Sequence, residues 1–567
     1  MSRVTRELTS RTTLEALRKQ AKRWLKDIEA GEALALQRFR DVFPNEEPNL
    51  RRVQHALSHE FGLASWAALK QEIEDNARTH AQRVEVFLEK GVHRYGTDPR
   101  TGKWGAYERD GAARGAIAAR ILERYPEIAR ESIHTAVLAH DIDAVRDFLA
   151  RDPGLASVPH PFDDWRPLMR VAYARLPLPA VTQNALSIAT LLLDAGAEVT
   201  GNAPGDLSGF RALTGAIGEG EGEQSPHPQA VEFARLLLAR GADPLDGQAL
   251  YNTSLGEDDT FWLDLLWAES EKRGDLARWH VAIPNVIGPP LEYLLGNAVP
   301  HHPKRVAWLL EHGADAKAHN FYSKLPVIRH AAAAGRQDLI DLLVRHGAER
   351  PELSDEERFI AATWKGDFAA VRELAGRHPG LLHSPEPMFA AIRQQRTDIA
   401  EFLLDLGMSP DVGDEKNFRA LHFASHCGAQ EIARLLIARG AEIDPFEKTY
   451  GGTPLSHANY HGRQEMIAIL ARMSRNVRGL CFAGCVERLR ELFSEDPALA
   501  TAPIHAHEPP IFCLPDNDER AAELVELLLS FGADIIAKNA EGQTPLEVAR
   551  KRGLEDAAAL LDDAAKG

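Results

Sequence analysis

A leucine-rich helix end followed by glycine returns along most of this 567-residue chain. Glycine at that position adopts the left-handed conformation without a Cβ penalty, so each copy predicts where a helix stops. Gly313 and Gly347 are 34 residues apart, and Gly407 and Gly440 are 33 apart. A period of this size is typical of one helical hairpin stacked many times. The copies are LLLDAGAE (191–198), LLLARGAD (236–243), WLLEHGAD (308–315), LLVRHGAE (342–349), FLLDLGMS (402–409), LLIARGAE (435–442) and LLLSFGAD (527–534).

The clearest unit is RALHFASHCGAQEIARLLIARGAEID, at 419–444. Its first helix is short and rich in small residues, Gly428 turns the chain, and leucine and isoleucine positions predict a buried second helix. The units that follow begin GTPLSHANYHG at Gly452 and GQTPLEVARKRG at Gly542. Proline at the start of a helix removes an N–H that would have no partner there, so each Thr-Pro pair predicts a helix N-terminus.

These units resemble the ankyrin-repeat family, in a divergent, bacterial-type form with a helical N-terminal cap. Thr453-Pro454-Leu455 and Thr544-Pro545-Leu546 match the family's Thr-Pro-Leu-His element, and Leu421-His422 matches its second half. The resemblance covers about 112–562. It implies an all-α solenoid of ankyrin-type helical hairpins with short β-turn loops, and a structural hydrogen bond for His422.

Three units end in Pro-x-Leu where the others end in Gly-Ala-Asp. They begin at Thr135, Ala361 and Cys481. Because proline and the residue before it disfavour helix continuation, we predict that the second helix of each unit stops at its proline.

The N-terminal residues follow a different pattern and predict a separate helical cap over 1–78, with the repeat array over 79–567. Thr13 and Ser65 are placed to cap helices, and Gly31 and Gly62 to end them. The first predicted helix has one basic face, which we expect to meet the acidic array. That face is formed by Arg18, Lys19, Lys22, Arg23 and Lys26. Irregular insertions are predicted near 91–111 and 201–300, the latter being either a degenerate repeat with a long loop or a partner-binding protrusion.

Composition limits the partners and the location. The formal net charge is −17, although the first 26 residues are basic. An acidic array repels nucleic acid and anionic membranes, so we expect a protein or peptide partner, with a basic partner as one option. The four cysteines give no disulfide framework, and no membrane span or secretion signal is evident. We therefore expect a cytoplasmic protein; the oligomeric state is not predicted.

Alignment of the units on their glycines predicts a binding surface. In the ankyrin family, the turn tips and the exposed face of each first helix form a concave groove, and aromatic and charged side chains there favour recognition of a protein. The predicted binding residues are Phe321, Tyr322, Lys324, Glu415, Lys416, Phe418, His426, Tyr450, Tyr460 and His461.

Other kinds of site are weaker hypotheses. His422 and His426 are four residues apart, as are His457 and His461, but the registers of the two pairs disagree, so no metal site is predicted. No cofactor motif or catalytic residue is predicted either. The alternative function is an enzyme with an acid/base active site in the groove or under the irregular 201–300 region. A third option is a regulatory protein that neutralises a basic partner.

Overall fold

The computed structural model of the chain describes residues 6, 8–9, 12–93, 95, 111–201, 209–220, 225–283, 286, 288–504 and 508–566. The chain divides into two compact units. One unit, called here the terminal unit, comprises Met1–Lys70, Ala332–Arg336 and Glu352–Gly567. The other, the central unit, comprises Gln71–Ala331 and Gln337–Pro351. The domain boundary predicted at residues 78 and 79 stays a prediction.

The described residues form helices and no strand; three isolated antiparallel bridges join Val92 to Ala174, His319 to Pro326 and Gly413 to Arg419. The predicted all-α fold class is therefore confirmed. The first four helices precede the helical hairpins. They are α1 (Leu14–Glu29), α2 (Ala33–Arg40), α3 (Leu50–Glu60) and α4 (Trp66–Ala77). In the part of the chain that the structure describes, no helix combines the length and the apolar character that crossing a bilayer requires.

Helical hairpins make up the rest of the described chain. The next helices are α5 (His80–Lys90), α6 (Gly111–Arg124), α7 (Ile133–Ala139), α8 (Ile142–Arg151), α9 (Pro167–Tyr173), α10 (Pro179–Asp194), α11 (Ala212–Ile217), α12 (Ala230–Ala239), α13 (Gly247–Ser254), α14 (Phe261–Arg273), α15 (Pro290–Ala298), α16 (Pro303–Glu311), α17 (Val327–Ala333) and α18 (Gln337–Arg345). They are followed by α19 (Asp355–Lys365), α20 (Phe368–Arg377), α21 (Glu386–Arg393), α22 (Thr397–Asp405), α23 (Ala420–Cys427), α24 (Gln430–Ala438), α25 (Pro454–Tyr460), α26 (Gln464–Ala471), α27 (Val477–Phe482), α28 (Val486–Glu495), α29 (Asp518–Ser530), α30 (Pro545–Lys551) and α31 (Glu555–Lys566).

Neighbouring hairpins stack in sequence order within each unit. In the terminal unit the first helices α19, α21, α23, α25 and α27 pack each on the next, as do the second helices α22, α24 and α26. In the central unit α7, α9, α11, α13 and α15 follow the same order, and α8, α10 and α12 pack as second helices. Small residues such as Ala420, Ala424 and Ala458 are fully buried, which lets neighbouring first helices approach closely.

Backbone conformation confirms the predicted helix stops. The seven glycines of the repeated phrase all have φ between 80° and 102°, in the left-handed region. The three Pro-x-Leu units instead end their second helices in short 3-10 helices, at Pro153–Ala156, Pro379–His383 and Pro497–Ala500. Proline thus ends those helices as predicted.

The predicted irregular regions are described only in part. Residues 94 and 96–110 of the first region, and 202–208, 221–224, 284, 285 and 287 of the second, lie outside the described residues. The described parts of 201–300 form helices α11 to α15. Trp267 packs its ring on Trp279 and Trp308, at centroid distances of 5.3 and 5.6 Å, so these tryptophans serve the core of the central unit.

The basic face of α1 meets acidic side chains of the last hairpin. Arg18 donates to Asp556 at 2.6 Å, and Lys22 pairs with Asp563. Lys70 pairs with Asp518 and, at 2.9 Å, with Asp556. The cap predicted for the N-terminal residues therefore covers the C-terminal end of the array. Thr13 and Ser65 cap α1 and α4 as predicted, whereas α2 was not predicted separately.

Candidate functional site

In the terminal unit, the position two residues before each left-handed turn recurs on successive first helices. The turns are made by Gly366, Gln395, Gly428, Gly462 and Gly484, all with positive φ. The residues two positions earlier, called here the first-helix row, are Trp364, Arg393, His426, Tyr460 and Phe482. Because the first helices stack in sequence order, these side chains recur once per repeat on one face. Tyr460 is 64% exposed and Phe482 is 36% exposed, while the other three are half-buried.

Ring contacts join the row to its neighbours. The imidazole centroids of His426 and His461 lie 4.0 Å apart, and the Tyr460 ring lies 5.0 Å from His461. Phe423 stacks on His426 at 6.2 Å and carries the Arg393 guanidinium over its face at 5.1 Å. Packed aromatic, imidazole and guanidinium groups lose little further side-chain freedom on binding, which suits them to recognition.

The Phe418 ring links this face to the core. It stacks on His422 at 5.5 Å and meets His457 edge-on at 5.3 Å. Phe389 and Phe423 both lie 6.1 Å from it. Phe418 is half-buried, so it offers only part of its ring at the predicted surface.

His422 is fully buried and has a structural role. Its Nδ1 accepts the Arg419 backbone N–H at 3.1 Å, which leaves the proton on Nε2, and Nε2 donates to the Pro445 carbonyl at 3.0 Å. Burial, with the neighbouring His457, lowers the pKa of His422 to about 4, so the ring is neutral near pH 7. The structural hydrogen bond implied by the resemblance is thus present. Among the described residues, no group of three side chains is arranged to hold a metal ion.

Two turn tips lie beside the row. At one, the Asp414 carboxylate accepts the backbone N–H groups of Lys416 at 2.9 Å and Phe418 at 2.8 Å, leaving Glu415 and Lys416 exposed. Lys448 of the next tip donates its backbone N–H to the Lys416 carbonyl at 2.7 Å. The two predicted tip residues are therefore held in a hydrogen-bonded loop.

A buried carboxylate shapes the second tip. Glu447 is 2% exposed and accepts three backbone N–H groups, from Thr449 at 2.5 Å, Tyr450 at 2.8 Å and Gly452 at 3.0 Å. This arrangement presents the Tyr450 side chain, which is 85% exposed, to solvent.

The other predicted residues belong to the central unit. These are Phe321, Tyr322 and Lys324, which lie in one turn. The Asn320 side chain accepts the Tyr322 N–H at 2.9 Å, and Lys324 Nζ lies 3.8 Å from the centroid of the Phe321 ring. The hydroxyls of Tyr322 and Tyr293 lie 3.5 Å apart. Burial of Tyr293, together with Tyr322, raises its pKa to about 12, so Tyr293 stays protonated. The ten predicted residues thus form two groups, three in the central unit and seven in the terminal unit.

Sequence reasoning missed Trp364, Arg393, Phe482 and Tyr293. Trp364 and Phe482 belong to the Pro-x-Leu units, but each still lies two residues before a glycine turn. Alignment of these units on that glycine would therefore have identified them. Arg393 lies two residues before Gln395, which makes the turn with a φ of 55° although it is not a glycine. Alignment on glycines could therefore not identify Arg393. Tyr293 contributes through a contact with Tyr322 that no local pattern shows.

The fold and the row define a class: repeat proteins built of stacked helical hairpins with an exposed first-helix face. A family model described as "Ankyrin repeats (3 copies)" matches residues 358–447 and 388–479, which contain the turn tips and much of the row. Residues 358–479 of the chain therefore contain ankyrin repeats.

Similarity to known proteins is partial in length. The chain is 30% identical over 196 residues to the B-cell lymphoma 3 protein homolog of Mus musculus, covering 34% of this chain and 38% of that protein. It is 28% identical over 161 residues to the ankyrin repeat protein nuc-2 of Neurospora crassa, covering 27% and 15%. Protein PhlB of Serratia liquefaciens is 35% identical over 77 residues, covering 14% and 34%. The chain thus spans well under half of each relative.

Proposed function

We propose that the chain binds a protein or peptide through the first-helix row and the two adjoining turn tips of the terminal unit. Ankyrin repeats are protein–protein interaction modules. The observation that carries the proposal is the row itself: one aromatic, imidazole or guanidinium side chain per repeat, on five successive first helices. Aromatic and arginine side chains dominate the binding energy of protein interfaces, so a repeated series of them supports recognition.

The predicted binding residues enter this proposal as two groups. Glu415, Lys416, Phe418, His426, Tyr450, Tyr460 and His461 contribute to the terminal-unit surface. Phe321, Tyr322 and Lys324 form a second aromatic tip in the central unit, stabilised by the Lys324–Phe321 contact. We propose the second tip as a further contact of its own. The alternative of an acid/base enzyme has no support in the similarity to known proteins.

The location and the charge of the partner are finer parts of the proposal. Four free cysteines support a reducing compartment such as the cytoplasm. The net charge of −17 supports attraction of a basic partner at a distance and repulsion of nucleic acid. Long-range attraction between the acidic chain and a basic partner raises the rate at which the two meet. The side chains of the row then determine which groups of the partner bind in direct contact with it.

The test compares two phenylalanines with equal exposure. Phe482 belongs to the row and Phe368 lies at the start of the second helix α20, and each is 36% exposed. The full-length protein is used to retain a partner from source-cell lysate. The purified partner is then titrated against Phe482→Ala, against the double variant Tyr460→Ala/Phe482→Ala and against the control Phe368→Ala.

We expect the double variant to lose at least about tenfold in affinity, as removal of two interface aromatics should, and Phe368→Ala to bind like the unaltered protein. Equal affinity of the double variant and the unaltered protein would show that the row is not the binding surface.

A further inference from the structure

The first-helix row differs in charge from the rest of the chain. The ten positions formed by the row and the residue after each member hold two cations, Arg393 and Lys365, and no carboxylate. Lys365 is exposed and follows Trp364 directly. In a chain with 83 acidic and 66 basic residues, the absence of carboxylates from these ten positions makes the row less acidic than the whole chain, although the adjoining turn tip carries the exposed Glu415.

Two further arginines border the row. Arg463 lies exposed after the Gly462 turn, and its Nε donates to the His426 carbonyl at 3.4 Å. The Arg478 guanidinium lies over the Phe482 ring at 5.4 Å. Arginine held against an aromatic face keeps its N–H groups at the ring edge, where a carboxylate can accept them. Cation and aromatic side chains are therefore paired along the row.

Three carboxylates near the row are engaged by other groups. Glu447 is buried and its oxygens accept three backbone N–H groups, while Asp414 accepts two within its own turn. Glu386 approaches Arg393 at 3.4 Å, but the two side chains are 40% and 27% exposed, so water screens the pair and its net contribution is small. An incoming carboxylate can displace such a partner at little cost.

We infer that the first-helix row takes an acidic segment of a protein partner, with Asp or Glu carboxylates beside Arg393, Arg463 and Arg478 and apolar side chains against Trp364 and Tyr460. This inference rests on the proposed function and names the chemistry of its partner. Although the chain as a whole is acidic, the arginines of the row and its border attract the acidic segment at the contact itself. A segment that is basic throughout would place its cations against these arginines, which costs free energy.

The experiment measures binding of fluorescent peptides to the full-length protein. Three 12-residue probes share the same tryptophan and leucine positions and differ only in having glutamate, glutamine or lysine at the others. A 12-nucleotide single-stranded DNA probe tests a different class of polyanion. Fluorescence anisotropy at low and at physiological ionic strength gives each affinity.

We expect the glutamate peptide to bind at least about tenfold more tightly than the lysine peptide, with the glutamine peptide between them. The double variant Arg393→Glu/Arg463→Glu should reverse this order. Arg434→Glu is the matched control, because Arg434 lies on the second helix α24 and pairs with Glu431, so it should leave the order unchanged. Circular dichroism and thermal unfolding check that each variant is folded, and Arg393→Lys should keep the preference.

The outcomes separate the inference from the proposed function. A preference for the glutamine or lysine peptide that Tyr460→Ala abolishes would overturn the acidic partner and leave the row as the binding surface. If none of the peptides binds at concentrations up to about 1 mM, both the acidic partner and the row as the binding surface are contradicted. A Kd of about 1 mM corresponds to a binding free energy of only about −4 kcal/mol, which weak recognition already reaches. If the DNA probe binds more tightly than the glutamate peptide, the ligand of the row is a nucleic acid and not an acidic protein segment.

Discussion

At the scale of single residues, one histidine carries a structural role that its neighbours on the same helix do not share. His422 is fully buried, with both ring nitrogens hydrogen-bonded, whereas His426 is half-buried in the row. The resemblance to ankyrin repeats implied this role from sequence. The stacking of His422 under Phe418 could not be predicted, because those rings meet only after the turn and the helix have folded together.

We expect His422→Ala to destabilise the protein by about 2–4 kcal/mol, because it leaves the Arg419 N–H and the buried Pro445 carbonyl unpaired and opens a cavity. His426→Ala, four residues along α23, is the control and should cost less than about 1 kcal/mol. Urea unfolding followed by circular dichroism measures both. Similar losses for the two variants would contradict the structural role of His422.

Buried histidines also predict how stability depends on pH. Burial and His457 lower the pKa of His422 to about 4, and burial with the neighbouring Arg170 lowers that of His134 to about 3. In the unfolded chain these groups titrate near 6.5, so between pH 6.5 and 4 the unfolded state binds protons that the folded state does not. Stability is thus fully present above pH 6.5 and falls as the pH is lowered through this window.

The measurement is the melting temperature at pH 7.5, 6.0 and 5.0 for the unaltered protein and for His422→Ala. The unaltered protein should melt at progressively lower temperature, and the variant should show a weaker dependence because one titrating group has been removed. A melting temperature that rises on acidification would contradict the neutral buried state.

At the scale of helices, the basic face of α1 was predicted to meet the acidic array, but the individual side chains that pair with it were not predicted. Arg18 and Lys19 are adjacent on that face, yet Arg18 pairs with Asp556, which is 5% exposed, while Lys19 pairs with Glu15 at exposures of 74% and 76%. Helical periodicity places both residues on one face. It cannot distinguish the one that contacts a helix more than 500 residues later.

We expect Arg18→Ala to destabilise the protein by about 1–3 kcal/mol, because a charged hydrogen bond to a buried carboxylate is lost. Lys70 still pairs with Asp556 and limits the loss. Lys19→Ala should change stability by less than about 0.5 kcal/mol, as exposed i,i+4 pairs contribute little. Chemical denaturation of both variants provides the test, and equal effects would contradict the assigned contact.

At the scale of the whole molecule, the N-terminal helices and the last hairpin belong to one compact unit although they are at opposite ends of the sequence. Arg51 also reaches Glu523 at 3.1 Å, and the Trp66 indole N–H lies 3.3 Å from Asp556. A cavity of about 30 Å³ remains between these helices, lined by residues that include Arg18, Trp66 and Glu526. Ion pairs and the Trp66–Asp556 hydrogen bond thus join the N-terminal helices to the end of the array.

Deletion of residues 1–62 should therefore speed amide hydrogen exchange in α29 and α31, because their covering helices are gone. Exchange in α7 and α8 of the central unit should stay unchanged, which makes them the internal control. Hydrogen–deuterium exchange with mass spectrometry measures all four helices in one sample. Unchanged protection of α29 and α31 would show that the N-terminal helices do not stabilise them.

Local sequence patterns alone predict the repeating hairpin, its helix ends and two members of the first-helix row, His426 and Tyr460. These follow from local chemistry: glycine permits the left-handed turn, proline stops a helix, and Thr-Pro starts one, whatever lies further along the chain. Three features follow instead from the folded arrangement: the N-terminal helices cover the last hairpin, Phe418 is half-buried between two histidines, and Arg393 lies over Phe423. Most of those contacts join residues of different hairpins, and the energies of all of them depend on packing and burial, which exist only once the hairpins have stacked.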